Sequence, residues 1–316
     1  MRTIRSTFRA CWAPRHTERR LRFRFLLSGL LGLGWAAISC HASTPPDVEH
    51  EHAPRPPAHR IVSLAPHVTE LLYAAGAGNA VIGVVEYSDY PPEAHRLPRV
   101  GTYDHPNVEA ILRLQPDLVV AWYSGTPPIV TERLEQLHVP VWVSRPATLE
   151  NIPEEMLRLG ELAGTTDAAK LAAQRFRDRA AQLASVYAQR PVVRAFYEIW
   201  NQPLVSIGGQ QILDSVFRLC GGKNVFDELP VPAPTVSVEA VLAENPEVIL
   251  ASGTGQERPK WLDDWHKWPQ LTAVRLENLY FVPPDLLQRP TPRILDGAQQ
   301  VCELLEQARH KRTKSP

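Results

Sequence analysis

The feature that most constrains this chain is a segment that occurs twice. Asn107-Val-Glu-Ala-Ile-Leu-Arg-Leu-Gln-Pro-Asp-Leu-Val-Val-Ala121 aligns without a gap on Ser237-Val-Glu-Ala-Val-Leu-Ala-Glu-Asn-Pro-Glu-Val-Ile-Leu-Ala251. Each copy reads as a capped helix, a proline breaker and a buried strand, with Asn107 and Ser237 as N-caps. Glu109 and Glu239 fall in the first turn, where a carboxylate meets the positive end of the helix dipole. A repeat of this kind calls for two similar lobes, because one helix–strand unit cannot bury its apolar face alone.

The surrounding pattern fits that expectation. Strand-like and helix-like pieces alternate at Arg60 to Ser63, Val68 to Ala75, Val81 to Val84, Val108 to Leu114, Asp117 to Trp122 and Val139 to Val143. The alternation restarts with Val192 to Ile199, Gln211 to Cys220, Val238 to Ala243, Glu247 to Ser252 and Leu279 to Val282. Such alternation predicts an α/β fold of two Rossmann-like lobes, each a parallel sheet covered by helices. Between them, Thr166 to Gln189 is rich in alanine, with Phe176, Ala180, Leu183 and Tyr187 on one helical face. The reading is one long rigid helix joining the lobes.

The start of the chain is different in kind. Eight arginines between Arg2 and Arg24 precede the apolar run Phe25 to Ile38, the layout of an export signal and shorter than the roughly 20 residues that span a bilayer. Removing it leaves a mature net charge near −7, which disfavours nucleic acid as a partner. Ala37-Ile38-Ser39-Cys40 allows lipidation of Cys40 as well as plain cleavage. The expected organisation is a signal peptide over 1–39, a flexible linker over 40–58, an N-terminal lobe over 59–150, an interlobe helix over 151–190 and a C-terminal lobe over 191–310. Cys220 and Cys302 are the only cysteines of the folded part. Export to an oxidising compartment favours a disulfide between them over two buried thiols.

Motifs for chemistry do not accompany this architecture. The turn after the first strand reads Ser63-Leu-Ala-Pro-His67 rather than a glycine loop for a dinucleotide, and there is no Gly-x-Ser-x-Gly elbow, His-Glu-x-x-His helix or Walker loop. What gathers at the segment ends instead is aromatic: Tyr87, Tyr90, Tyr103, Trp122 and Trp200. Loops at those ends build ligand sites in α/β lobes, and flat side chains there can wall a large planar ligand or simply pack. Trp261, Trp265 and Trp268, at helical spacing, belong to the core on this reading.

Ile61-Val-Ser-Leu-Ala-Pro-His-Val-Thr-Glu70, Tyr87-Ser-Asp-Tyr-Pro-Pro92, Asn107-Val-Glu109, Gln115-Pro-Asp-Leu-Val-Val-Ala-Trp122, Cys220-Gly-Gly-Lys-Asn-Val-Phe226 and Pro292-Arg-Ile294 are more specific. Together they resemble the substrate-binding proteins of ABC importers that join two lobes by a helical backbone and take cobalamin, haem or iron–siderophores. The Tyr87 to Pro92 segment, the cysteine pair and Asp285 with Arg289 are similar to the cobalamin-binding members.

The resemblance implies a corrinoid held in the cleft between lobes as transported ligand, with no catalysis and no resident cofactor or metal. Tyr87, Tyr103, Trp122 and Trp200 would wall the ligand, and Asp285 and Arg289 would meet its amide side chains. Glu109 and Glu239 would dock a free monomer, in the periplasm, onto the permease dimer that a separate ATPase drives. Tyr103 and Ala233 stand where the resemblance leads one to look for tryptophan. The competing readings are a haem or iron–siderophore binder and an exported α/β hydrolase.

Overall fold

A computed structural model describes residues 56–253 and 255–314. The segment expected to be a signal peptide, Cys40 and all but the last residues of the expected linker lie outside this range.

The first lobe comprises β1 (Ile61–Ser63), α1 (Pro66–Ala74), β2 (Val81–Val84), α2 (Val108–Arg113), β3 (Leu118–Trp122), α3 (Pro128–Gln136) and β4 (Val141–Ser144). The chain then runs through α4 (Asn151–Ala163) and α5 (Thr166–Tyr187). The second lobe is built from β5 (Val193–Glu198), the hairpin β6 (Trp200–Asn201) and β7 (Leu204–Val205), α6 (Ile212–Leu219), β8 (Gly222–Asn224), α7 (Val238–Glu244) and β9 (Val248–Ala251). It closes with α8 (Thr272–Arg275), β10 (Leu279–Phe281), α9 (Pro284–Leu287) and α10 (Ile294–Lys314).

Both four-stranded sheets are parallel and share one topology. The first runs β2-β1-β3-β4; the second, read from its other edge, runs β8-β5-β9-β10. The duplicated segment supplies α2 with β3 and α7 with β9. Asn107 Oδ1 accepts from Ala110 N at 2.9 Å, and Ser237 Oγ accepts from Ala240 N at 3.2 Å, so the two helices start on the same cap. Both copies break on a residue of positive φ ahead of proline, Gln115 at 48° and Asn245 at 43°.

The long helix read over 166–189 is α5, Thr166–Tyr187, whereas the wider span of 151–190 assigned to the interlobe helix also holds a separate helix, α4. Gly164, at φ 70°, caps α4 in the left-handed conformation, and its N–H returns to Glu161 O. Two helices result, pressed together where Gly160 leaves room for Ala169. The strut between lobes is therefore α5 alone, 22 residues and roughly 33 Å long. Its start is tied to the first lobe by Thr165 Oγ1 donating to Ala75 O at 2.7 Å, and its end lies against Gly221 of the second.

One core takes in residues of both lobes. Period-two alternation sends Ile61 of β1 and Ala195 and Tyr197 of β5 into one core that also takes in Leu71, Met156, Phe176, Phe217 and Leu305. Val62 and Phe196 face separate clusters on the outer sides of their sheets. The continuous helical layer thus buries residues of both lobes. Trp265 is buried in the second lobe's outer cluster, with Trp261 and Trp268 packed on it. Cys220 and Cys302 form a disulfide joining the end of α6 to α10.

Candidate functional site

A cavity of about 660 Å³ opens between the lobes. The C-terminal end of β3 supplies one wall, Trp122 and Tyr123, with Arg145 following β4. Opposite stand Gln211, Ile212 and Ser215 at the start of α6, Arg218 farther along it, and Ala233; Gln288 and Pro290 complete the lining. Gly125 lets the indole lie flat, since a Cβ there would sit 1.9 Å from the Trp122 ring. Tyr103 packs on the same indole with centroids 5.6 Å apart, and His67 meets it edge-on at 5.3 Å.

Beneath Trp122 lies a buried polar chain that joins α1, β4 and α4. His67 Nε2 is 3.2 Å from Ser144 Oγ, which donates to Glu155 Oε2 at 2.5 Å; Arg145 N donates to Glu155 Oε1 at 2.6 Å. Because the serine proton goes to the carboxylate, the serine oxygen is left to accept from His67 Nε2–H. Burial, with the charge of Arg289 adding to it, lowers the His67 pKa to about 3, so the imidazole is neutral. A nucleophile relay needs the imidazole between hydroxyl and carboxylate. Here the fully buried Ser144 hydroxyl occupies that middle place, and the three groups orient Trp122 and the β4 end instead.

The seam beside the cavity is closed by charge. Glu70 on α1 accepts from Arg293 Nε and Nη2 at 2.8 and 2.7 Å and from Arg289 Nη1 at 3.2 Å. Arg289 Nη1 also donates to Asp89 at 2.5 Å, and its Nη2 lies 3.1 Å from Asp285. Burial works against the Arg289 charge, but the Asp89 hydrogen bond and the nearby carboxylates outweigh it and raise its pKa. Arg293 stacks over Tyr90 at 4.0 Å. This latch ties the first lobe to the second, with Glu70 only 2% exposed.

The residues expected to bind ligand are distributed unevenly. Trp122 lines the cavity, and Tyr103 touches Trp122. Tyr87, 70% exposed, and Trp200, whose Nε1 donates to Gln202 O, stand on their lobes outside the lining. Asp285 accepts from Gln256 at 2.6 Å, and Arg289 turns into the latch between the lining residues Gln288 and Pro290. Glu109 and Glu239 are exposed at equivalent positions of α2 and α7. The Glu239 carboxylate is held below its usual range by its own backbone N–H and the Ser237 hydroxyl.

Residues 61–286 match the family model described as periplasmic binding protein. The chain belongs to the periplasmic binding protein family. Among its relatives is the vitamin B12-binding protein of Vibrio cholerae, 39% identical over 251 residues that cover 79% of this chain and 90% of that protein. A crystal structure of the periplasmic vitamin B12-binding protein BtuF of Vibrio cholerae superposes with a TM-score of 0.73 at 39% identity, covering 80% of this chain and 98% of that one. The periplasmic heme-binding protein RhuT from Roseiflexus sp. RS-1 gives 0.69 at 25% identity, over 79% and 99%.

Against the family background, the latch and the His67–Ser144–Glu155 chain are what sequence reasoning passed over. Glu70, Asp89 and Arg293 all sit inside the motifs that carried the resemblance. The signal available was opposite charges within apolar, turn-rich segments about 200 residues apart.

Proposed function

We propose that this protein captures cobalamin or a closely related corrinoid between its lobes and hands it to the permease dimer of an ABC importer powered by a separate ATPase. The observation that carries the reading is the 39% identity, over 79–80% of this chain and 90–98% of theirs, with proteins named for vitamin B12 binding. The cavity suits such a ligand. An apolar, aromatic wall at Trp122 with Tyr103 behind it meets a macrocycle face, while Gln211, Gln288 and Ser215 offer hydrogen bonds that desolvated amides need. Tyr87 and Trp200 stand outside the cavity lining, one on each lobe, and would extend the aromatic wall at its rim. Asp285 and Arg289 supply polar contacts at the seam.

In this reading the corrinoid is cargo and no residue performs chemistry on it. Glu109 and Glu239, exposed and related by the duplication, would engage basic groups on two copies of a permease subunit, as matched carboxylates on a pseudo-twofold can. The free protein acts as a monomer on the periplasmic side, either soluble or held by a lipid on Cys40. Calorimetric titration of the mature protein with cyanocobalamin and with haemin tests the ligand class. Tight one-to-one binding of cyanocobalamin, with haemin far weaker, is the expected result; the reverse order would replace the corrinoid by haem.

A further inference from the structure

Two arginines and no carboxylate line the cavity between the lobes. Arg145 comes from the first lobe and Arg218 from the second, and the remaining lining side chains are neutral. The Arg145 backbone is pinned through its N–H to Glu155. Its guanidinium lies 3.8 Å over the Tyr123 ring, and among the described residues no acidic group lies within ion-pair distance of it. Arg218 pairs with Asp214 one turn earlier, yet stays 64% exposed toward the opening while Asp214 is buried. Burial pushes the Asp214 carboxyl up, with the charge of Arg218 pulling against it, and this carboxylate does not line the cavity.

Neutral amide side chains and the apolar periphery of a macrocycle give no reason for two arginines in a cleft. An anionic group on the ligand does. Arginine's planar fork suits phosphate oxygens, and stacking on an aromatic face holds one such fork in advance. We infer that Arg145 and Arg218 form an anion subsite for the phosphodiester that a complete cobalamin carries between its corrin ring and its nucleotide base. The inference rests on the corrinoid reading and sharpens it: cobinamide has the corrin ring but no phosphodiester, so this pair would let the protein prefer the complete molecule. Since the arginines belong to different lobes, the phosphate would also be one of the groups that the ligand uses to bridge them.

Titration calorimetry with cyanocobalamin, aquocyanocobinamide and haemin, on the wild type and on Arg145→Gln and Arg218→Gln, tests this. Both residues are exposed, and unchanged thermal unfolding of the variants establishes that they fold. Each substitution should weaken cyanocobalamin by about ten- to hundred-fold, the range for a lost charge-assisted hydrogen bond, and leave cobinamide unchanged. Arg145→Lys should recover part of the loss. The wild-type preference for cyanocobalamin should also shrink between low and high salt.

Equal losses for both corrinoids, or none for either, overturn the subsite and leave the corrinoid reading standing. Arginine-dependent binding of haemin, with cyanocobalamin indifferent to the substitutions, overturns it in favour of carboxylate recognition. Failure of the wild type to bind any corrinoid would remove the function on which the inference rests, and the inference with it.

Discussion

Replacing Glu70 by glutamine tests whether the interlobe latch holds the molecule together. The carboxylate is 2% exposed and takes three hydrogen bonds, two from Arg293 and one from Arg289. Glutamine keeps its shape and removes its charge. Arg289 retains Asp89 and Asp285, but among the described residues Arg293 has no other ion-pair partner. Breaking a buried pair from one side costs about 3–5 kcal/mol. Arg293 is 22% exposed and can regain some water, so the lower end, about 3 kcal/mol, is expected. For a domain of this size that lowers Tm by roughly 6–12 °C.

Asp89→Asn is the internal control. Its carboxylate is 43% exposed, and a pair that open to solvent contributes about 1 kcal/mol or less. Urea unfolding followed by circular dichroism measures both variants, with an unchanged m-value required for the comparison. A Glu70→Gln cost no greater than that of Asp89→Asn would refute the idea that burial makes this latch strong. In an Arg293→Met background the Glu70→Gln cost should fall markedly, because the charge it strands is gone.

Three further outcomes follow from the same structure. Burial raises the Glu198 pKa from 4.5 to about 7, with the hydrogen bond from Trp265 opposing it and Asp264 adding to it. The protonated form is thus favoured in the fold, and stability present below pH 4.5 is lost as pH rises through about 7. Glu198→Gln should therefore stabilise the protein by up to about 3 kcal/mol at pH 8 and do little at pH 4.5; a gain independent of pH contradicts this. The disulfide closes a span of 82 residues, so Cys220→Ser with Cys302→Ser should cost roughly 2–5 kcal/mol, and a urea midpoint untouched by these changes counts against it. Glu109→Ala with Glu239→Ala should leave corrinoid affinity unchanged and impair uptake by reconstituted permease and ATPase, whereas a collapse in affinity would move those residues from docking to binding.

The architecture was legible because it is written twice. One caps-and-breaker pattern, repeated at 107–121 and 237–251, predicts two lobes of like topology, and the same local rules place Asn107 and Ser237 as caps. Local rules fail where the third dimension decides. Gly164, just ahead of the alanine-rich stretch, ends α4 in the left-handed conformation, so the span 151–190 holds two helices, of which the sequence pattern marks the long one at 166–189. Strand β8, Gly222–Asn224, has no strand propensity and forms because its backbone pairs with β5.

The interlobe cavity was half legible for the same reason. A tryptophan at the end of β3 falls where α/β lobes place ligand loops, and Trp122 does line the cavity. That Trp200 projects from a hairpin, and that Arg289 turns toward Glu70 and Asp89, depends on contacts between residues as many as 219 positions apart, which no local pattern encodes. The lining arginines 145 and 218 gave no signal, since each alone reads as a surface charge.

A crystal structure of the mature protein grown with cyanocobalamin tests the central claim most directly. The account places the corrin ring between the lobes with one face on Trp122 and contacts to both halves of the duplicated fold. Density for the corrinoid elsewhere on the surface, or an interlobe cavity left open in crystals of protein saturated with it, would contradict the account.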